Sequence, residues 1–127
     1  MEKMTSKKIL IVDDAADIRT LLEHTLEELQ DRGVELLSAA NGEKGLSVAL
    51  VERPDLIFLD IKLPDIDGYE VCQHIKAVLN DVYVILLTGH AVDMVHCAEV
   101  GADDFIAKPF YPDQILERAA AVLGLSL

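Results

Sequence analysis

Residues 56–60, Leu-Ile-Phe-Leu-Asp, run four apolar side chains into a carboxylate and stop at a loop punctuated by Pro64 and Gly68. A continuous apolar run of this length, bounded by turn signals, is the pattern of a strand buried on both faces of a parallel sheet. Open α/β sheets gather their ligands at the carboxyl edge. An acid ending such a strand therefore stands where chemistry is done. Asp13, Asp14, Thr88 and Lys108 also end strand-like runs, so each is weighed against Asp60.

The rest of the chain alternates between two periods. Lys8–Val12 is a short β-branched run ending at Asp13-Asp14. From Ala15 to Leu29, Ile18, Leu21, Leu22, Thr25, Leu26 and Leu29 draw an apolar stripe at helical steps, closed by Gly33. A strand is expected over Val34–Ala39, then a helix from Gly42 carrying Leu46, Ala49 and Leu50, ended by Pro54. The central strand covers Asp55–Asp60. A helix from about Gly68 carries Val71, Cys72, Ile75, Val78 and Leu79. Val82–Leu87 reads as a strand ending at Thr88-Gly89, Ala91–Val100 as a helix stopped by Gly101, and Phe105–Lys108 as a short strand before Pro109. The last helix starts near Pro112, favoured in a first turn, and buries Ile115, Leu116, Ala119, Val122 and Leu123.

Five strands alternating with five helices predict a parallel sheet with right-handed crossovers and helices on both faces. The doubly wound order 2-1-3-4-5 fits. It makes strands one and three neighbours, so Asp13, Asp14 and Asp60 meet at the carboxyl edge near the switch point. Thr88 and Lys108 reach the same edge from the other side.

Length and composition narrow the classes. At 127 residues, 51% of them hydrophobic, the chain suits one domain with a substantial core, spanning 1–127. No apolar run approaches the roughly 20 residues needed to cross a bilayer, and the charged start resembles no secretory signal, so a cytoplasmic protein without membrane contact is expected. A net charge of -12 argues against nucleic-acid binding, which needs Lys and Arg for phosphates. Cys72 and Cys97 show no metal-ligand spacing and read as half-buried reduced thiols. His24, His74 and His96 have no convergent ligand set and read as surface or boundary residues.

Three carboxylates held together repel, and at neutral pH they take up a proton or bind a cation. All-oxygen ligation without His or Cys points to a hard divalent ion, and Mg²⁺ suits a site with few carboxylates that also meets phosphate. Lys108 supplies a compact cation for phosphoryl oxygens and Thr88 a neutral donor. Asp60 is an unhindered carboxylate able to act as a nucleophile and form an acyl phosphate. Singly, each residue has a plainer use. Asp13 or Asp14 could cap the next helix, Asp60 solvate a turn, Thr88 serve strand propensity, and Lys108 solvate an edge. Five such residues on the same sheet edge favour the chemical reading.

The pattern resembles the receiver domain of two-component response regulators, from about Lys7 to Leu123. The matching residues are Ile11-Val12-Asp13-Asp14, Asp60 with Leu63-Pro64 and Asp67-Gly68-Tyr69-Glu70, Thr88, and Gly101-Ala102-Asp103-Asp104-Phe105 running into Lys108-Pro109-Phe110. The resemblance implies a flavodoxin-like sheet and a signalling domain, not an enzyme in its own right, that catalyses its own phosphorylation and slow autodephosphorylation. Asp60 is then the phosphoacceptor, served by a histidine kinase or histidine phosphotransfer protein. Asp14 is a direct Mg²⁺ ligand, Asp13 a second acidic ligand acting through water, and the Lys62 backbone carbonyl completes the protein ligands. Lys108 contacts the phosphoryl group and precedes a cis Pro109. Thr88 and Phe105 form the switch pair, Phe105 replacing a Tyr and so lacking a hydroxyl. Lys62 and His90 border the site and are expected to set the acyl phosphate lifetime.

Two enzyme or carrier readings compete. A haloacid-dehalogenase-type phosphatase needs a second acid two residues after the nucleophile, where this chain has Lys62. A flavodoxin-like FMN carrier needs a phosphate-cradling loop where Asp13-Asp14-Ala15-Ala16 stands. A phosphorylation-independent interaction domain would not need every charged site residue. Only Gly124–Leu127 follow the last helix, which implies a stand-alone regulator acting on a downstream protein or a receiver separated from its effector domain. The expected output surface, from Ala91 to Leu123, comprises the fourth helix, fifth strand and fifth helix. It would serve partner docking or a phosphorylation-dependent homodimer.

Overall fold

A computed structural model describes residues 7–89 and 94–127. The elements alternate as β1 (Lys8–Val12), α1 (Ala16–Gln30), β2 (Glu35–Ala39), α2 (Gly42–Glu52), β3 (Leu56–Asp60), α3 (Gly68–Val78), β4 (Tyr83–Thr88), α4 (Met94–Glu99), β5 (Asp104–Ala107) and α5 (Pro112–Leu123). All strand pairs are parallel, in the order β2-β1-β3-β4-β5. Every residue of β3 is buried, as its unbroken apolar run requires.

Alternation along the strands divides the core in two. Leu10, Val12, Ile57, Leu59, Val84 and Leu86 face α2, α3 and α4 together with Val71, Cys72 and Ile75. Ile9, Ile11, Leu56, Phe58, Ile85, Leu87 and Ile106 face α1 and α5, against Leu22, Leu26, Ile115 and Ala119.

Most boundaries shift by one residue from the sequence reading. Lys108 is not in the β5 ladder, which ends at Ala107, although its N–H still donates to the Thr88 carbonyl at 2.6 Å. The fourth helix covers Met94–Glu99 of the expected Ala91–Val100, and residues 91–93 lie outside the described residues. Leu21 and Leu50 are exposed, because each helix buries a stripe narrower than its apolar spacing suggested. Val78 is also exposed, and Leu116 and Val122 are only partly buried. Cys72 and Cys97 are fully buried instead of half-buried, since both helices turn them onto the sheet.

The helix ends follow local chemistry. Gly33, Gly101 and Gly124 take positive φ after α1, α4 and α5. After α2 that conformation falls to Arg53, at φ 51°. The start of α2 is capped twice. Asn41 accepts from Lys44 N–H at 2.7 Å, and Asp65, from the loop after β3, accepts from Gly42 and Glu43 N–H at 2.8 Å each.

No helix among the described residues is long and apolar enough to cross a membrane.

Candidate functional site

Parallel pairing sets Val12 beside Leu59, so the residues that follow, Asp13 and Asp60, end neighbouring strands. Asp13 is fully buried. Its N–H donates to the Ala39 carbonyl at 3.1 Å, and its Oδ1 accepts the Ala15 N–H at 2.9 Å. Its Oδ2 is buried without a hydrogen-bond partner. Burial, first of all, pushes the carboxyl up to about 6; the Ala15 amide opposes the shift, the Asp60 charge adds to it and Lys108 opposes it. Asp14 is exposed. One carboxylate oxygen each from Asp13, Asp14 and Asp60 lie within 4.8 Å of one another.

Asp60 uses its two oxygens differently. Oδ1 accepts the Lys62 N–H at 3.2 Å, and Oδ2 receives the Lys108 ammonium at 3.0 Å. The same ammonium lies 3.6 Å from Asp13 Oδ2, close enough for charge attraction but too long for a hydrogen bond. Lys108 thus bridges two of the three acids. The Lys108–Pro109 bond is cis, matching the expectation.

Thr88 pairs with Ala107, and Leu86 pairs with Phe105. Thr88, two residues after Leu86, therefore shares a sheet face with Phe105. The Thr88 hydroxyl is buried and has no hydrogen-bond partner among the described residues, and Phe105 packs half-buried against the α2–α3–α4 side of the core. Lys62 is exposed beside Asp60, whereas His90 lies outside the described residues.

The loop after Asp60 is shaped by Gly68. A Cβ there would lie 2.2 Å from the Asp60 carbonyl oxygen and 2.5 Å from Ile61 Cα. Gly68 N–H donates to Ile61 O at 2.7 Å. The chain here folds against its own backbone, which only a residue without Cβ allows.

Three contacts escaped the sequence reading. Arg19 donates to the Asp13 carbonyl at 2.7 Å, Asp65 clamps the β3–α3 loop onto α2, and Tyr69 stacks on His96 with ring centroids 3.9 Å apart. Arg19 reaches back six residues across the β1–α1 turn and Asp65 acts on amides 22 and 23 residues away, in each case on backbone groups, for which no spacing rule exists. His96 was expected to be a plain surface or boundary residue; it is exposed, but its ring has a partner on α3.

A doubly wound five-stranded sheet with clustered acids, a lysine and a threonine at its carboxyl edge is the layout of a receiver-type signalling domain. The family model for the response regulator receiver domain matches residues 9–120, and the chain belongs to that family. It is 39% identical over 124 residues to sporulation initiation phosphotransferase F of Bacillus subtilis (strain 168), covering 96% of this chain and 98% of that protein. It is 41% identical over 123 residues to the alkaline phosphatase synthesis transcriptional regulatory protein PhoP of the same organism, covering 95% of this chain and 50% of that one. Among solved structures, the chemotaxis response regulator CheY4 of Vibrio cholerae superposes with a TM-score of 0.82 at 31% identity, covering 93% of this chain and 99% of that one. The chain spans about half the length of the transcriptional regulators it matches.

Proposed function

We propose that Asp60 accepts a phosphoryl group from a phosphorylated histidine of a histidine kinase or histidine phosphotransfer protein, with Mg²⁺ bound by Asp13, Asp14, Asp60 and the Lys62 backbone carbonyl. The observation that carries the reading is a pair of buried polar atoms without a hydrogen-bond partner among the described residues, Asp13 Oδ2 and Thr88 Oγ1, flanking an Asp60 already ion-paired to Lys108. A buried unpartnered oxygen costs free energy unless something arrives to satisfy it. The donor set suits a hard dication on the acid side and phosphoryl oxygens on the Thr88–Lys108 side.

In the proposed reaction an Asp60 carboxylate oxygen attacks phosphorus. A P–O bond forms as the P–N bond to the partner imidazole breaks, and that nitrogen takes up a proton. Bound Mg²⁺ supplies charge neutralisation for the acids and the phosphoryl oxygens. Lys108 transfers its ammonium contact from Asp60 Oδ2 to the new phosphoryl group. Thr88 turns its hydroxyl onto the phosphate, and Phe105, on the same face, packs into the vacated space. With no phenolic hydroxyl, the two states of Phe105 differ in packing alone. This biases a two-state element with one new charged group.

The reading takes residues 1–127 as a single receiver domain in the cytoplasm whose output surface is α4, β5 and α5. That surface docks a downstream protein or effector domain, or pairs in a phosphorylation-dependent homodimer. Lys62 and His90 set the lifetime of the acyl phosphate, Lys62 by charge and His90 by steering or blocking water; an unchanged dephosphorylation rate in the double alanine variant would remove them from the scheme. Lys62, exposed and basic where a phosphatase of the haloacid dehalogenase type would need an acid, argues against a turnover enzyme.

The test is incubation with acetyl phosphate and Mg²⁺ followed by intact mass. One added phosphoryl group is expected on the wild type and none on Asp60→Asn. A wild type that binds Mg²⁺ but gains no mass refutes phosphoacceptance and leaves an interaction-only domain.

A further inference from the structure

Every backbone polar group of Asp13 is held, and one of the holds is a side chain. Its N–H is bound by Ala39, its Oδ1 by the Ala15 amide, and its carbonyl oxygen accepts Arg19 Nη1 at 2.7 Å. The oxygen left without a hydrogen bond among the described residues is Oδ2, 3.6 Å from the Lys108 ammonium. The turn that leads from β1 into α1 needs this support, because the N-cap of α1 is Ala15, whose side chain can cap nothing. Arg19 stands one turn on. Its N–H donates to the Ala15 carbonyl at 3.0 Å, and its half-buried guanidinium reaches back to Asp13. It ties the first turn of the helix to the strand end through the Asp13 and Ala15 carbonyls.

We propose that Arg19 is a positioning residue for the acidic site. Its guanidinium fixes the β1–α1 corner so that Asp13 Oδ2 and the Asp14 carboxylate stay within reach of Asp60 and can share one divalent cation. The inference rests on the reading that these carboxylates hold Mg²⁺.

The sign of the effect separates positioning from plain electrostatics. A guanidinium near three carboxylates repels an arriving dication. If Arg19 acted through charge alone, removing it would tighten Mg²⁺ binding. If it acts by holding the Asp13 carbonyl, removal lets the corner relax and weakens binding. A purely structural role would lower the melting temperature yet leave the affinity of the folded protein unchanged.

The experiment is calorimetric titration of the metal-free protein with MgCl₂ for wild type, Arg19→Met and Arg19→Lys, each with a thermal melt in EDTA. Arg19→Met keeps an apolar stem and loses charge and donor; it is expected to bind Mg²⁺ about three- to tenfold more weakly, the equivalent of one lost hydrogen bond. Arg19→Lys keeps a charged donor and is expected to recover most of that loss. Unchanged or tighter binding by a folded Arg19→Met overturns the proposal. Arg19→Gln takes its place if the Met variant does not fold, with the same two readings of its affinity. A wild type that takes up no Mg²⁺ overturns the metal reading beneath, and this inference with it, whereas wild-type binding matched by the variants overturns the inference alone.

Discussion

Gly68→Ala is the sharpest perturbation the structure offers. The added Cβ would stand 2.2 Å from the Asp60 carbonyl oxygen, 2.5 Å from Ile61 Cα and 2.9 Å from the Asp60 carbonyl carbon. Ordinary contact begins near 3.4 Å, so α3 and the end of β3 must part by about 1 Å, given how steeply close-packed atoms repel. All three obstacles are backbone, and no side chain can swing aside. Overpacking typically costs about 1–3 kcal/mol, and this variant belongs at the top of that range. For a domain of this size that is a fall in melting temperature of about 10 °C. The strain lands on Asp60 itself, and a misplacement of about 1 Å at a reacting group costs on the order of 100-fold in rate. Differential scanning calorimetry and acetyl phosphate labelling followed by mass read the two effects separately. Gly89→Ala is the control for stability, because a Cβ there meets nothing within 4 Å. Were Gly68→Ala to melt within about 2 °C of wild type, less than about 1 kcal/mol, and label at the wild-type rate, the close approach of Gly68 to Asp60 would be refuted.

Other outcomes follow from separate parts of the molecule. The Asp13 carboxyl, pushed up to about 6, binds protons more tightly folded than unfolded; its contribution to metal-free stability therefore falls as pH rises from about 4 to 6, by up to about 3 kcal/mol. Urea unfolding in EDTA should show Asp13→Asn gaining on wild type across that window, and a constant difference would contradict the burial described. Cys72, its thiol pushed up to about 12 by burial, should resist a thiol reagent at neutral pH until denaturant is added. Phe58, the largest fully buried side chain, should lose about 3–5 kcal/mol on Phe58→Ala, seen as an earlier urea midpoint. Arg53→Gly should raise the melting temperature by a few degrees, through relief of up to about 1 kcal/mol at a left-handed non-glycine residue.

What the sequence showed was whatever repeats or ends abruptly. Strand runs broken by an acid or a Thr located Asp13, Asp60 and Thr88 at one sheet edge, and alternation of strand and helix produced the observed strand order. Lys108 was placed at the edge as well, although outside the ladder. Helical spacing was a weaker guide to depth. Leu21 and Leu50 fit their stripes yet remain exposed, because the strip each helix buries is narrower than its apolar spacing. The Arg19 and Asp65 contacts could not be read in advance. Each is a side chain meeting backbone atoms across a turn or loop, and its partner has no side-chain signature to find. Gly68 was legible as a loop former; that its missing Cβ leaves room for the Asp60 carbonyl required coordinates.

The double cap of α2 reaches into how the chain assembles. Two of the first amides of that helix are satisfied by Asp65, which lies 23 residues after Gly42 and 22 after Glu43. While the chain is being made, α2 emerges with Asn41 as its only cap, since the second one belongs to a loop not yet synthesised. The Gly42 and Glu43 amides gain their acceptor only once β3 has docked beside β1 and carried Asp65 across. Exchange protection at the Gly42 and Glu43 amides would therefore report the arrival of β3, making the start of α2 a clock for closure of the sheet around Asp60.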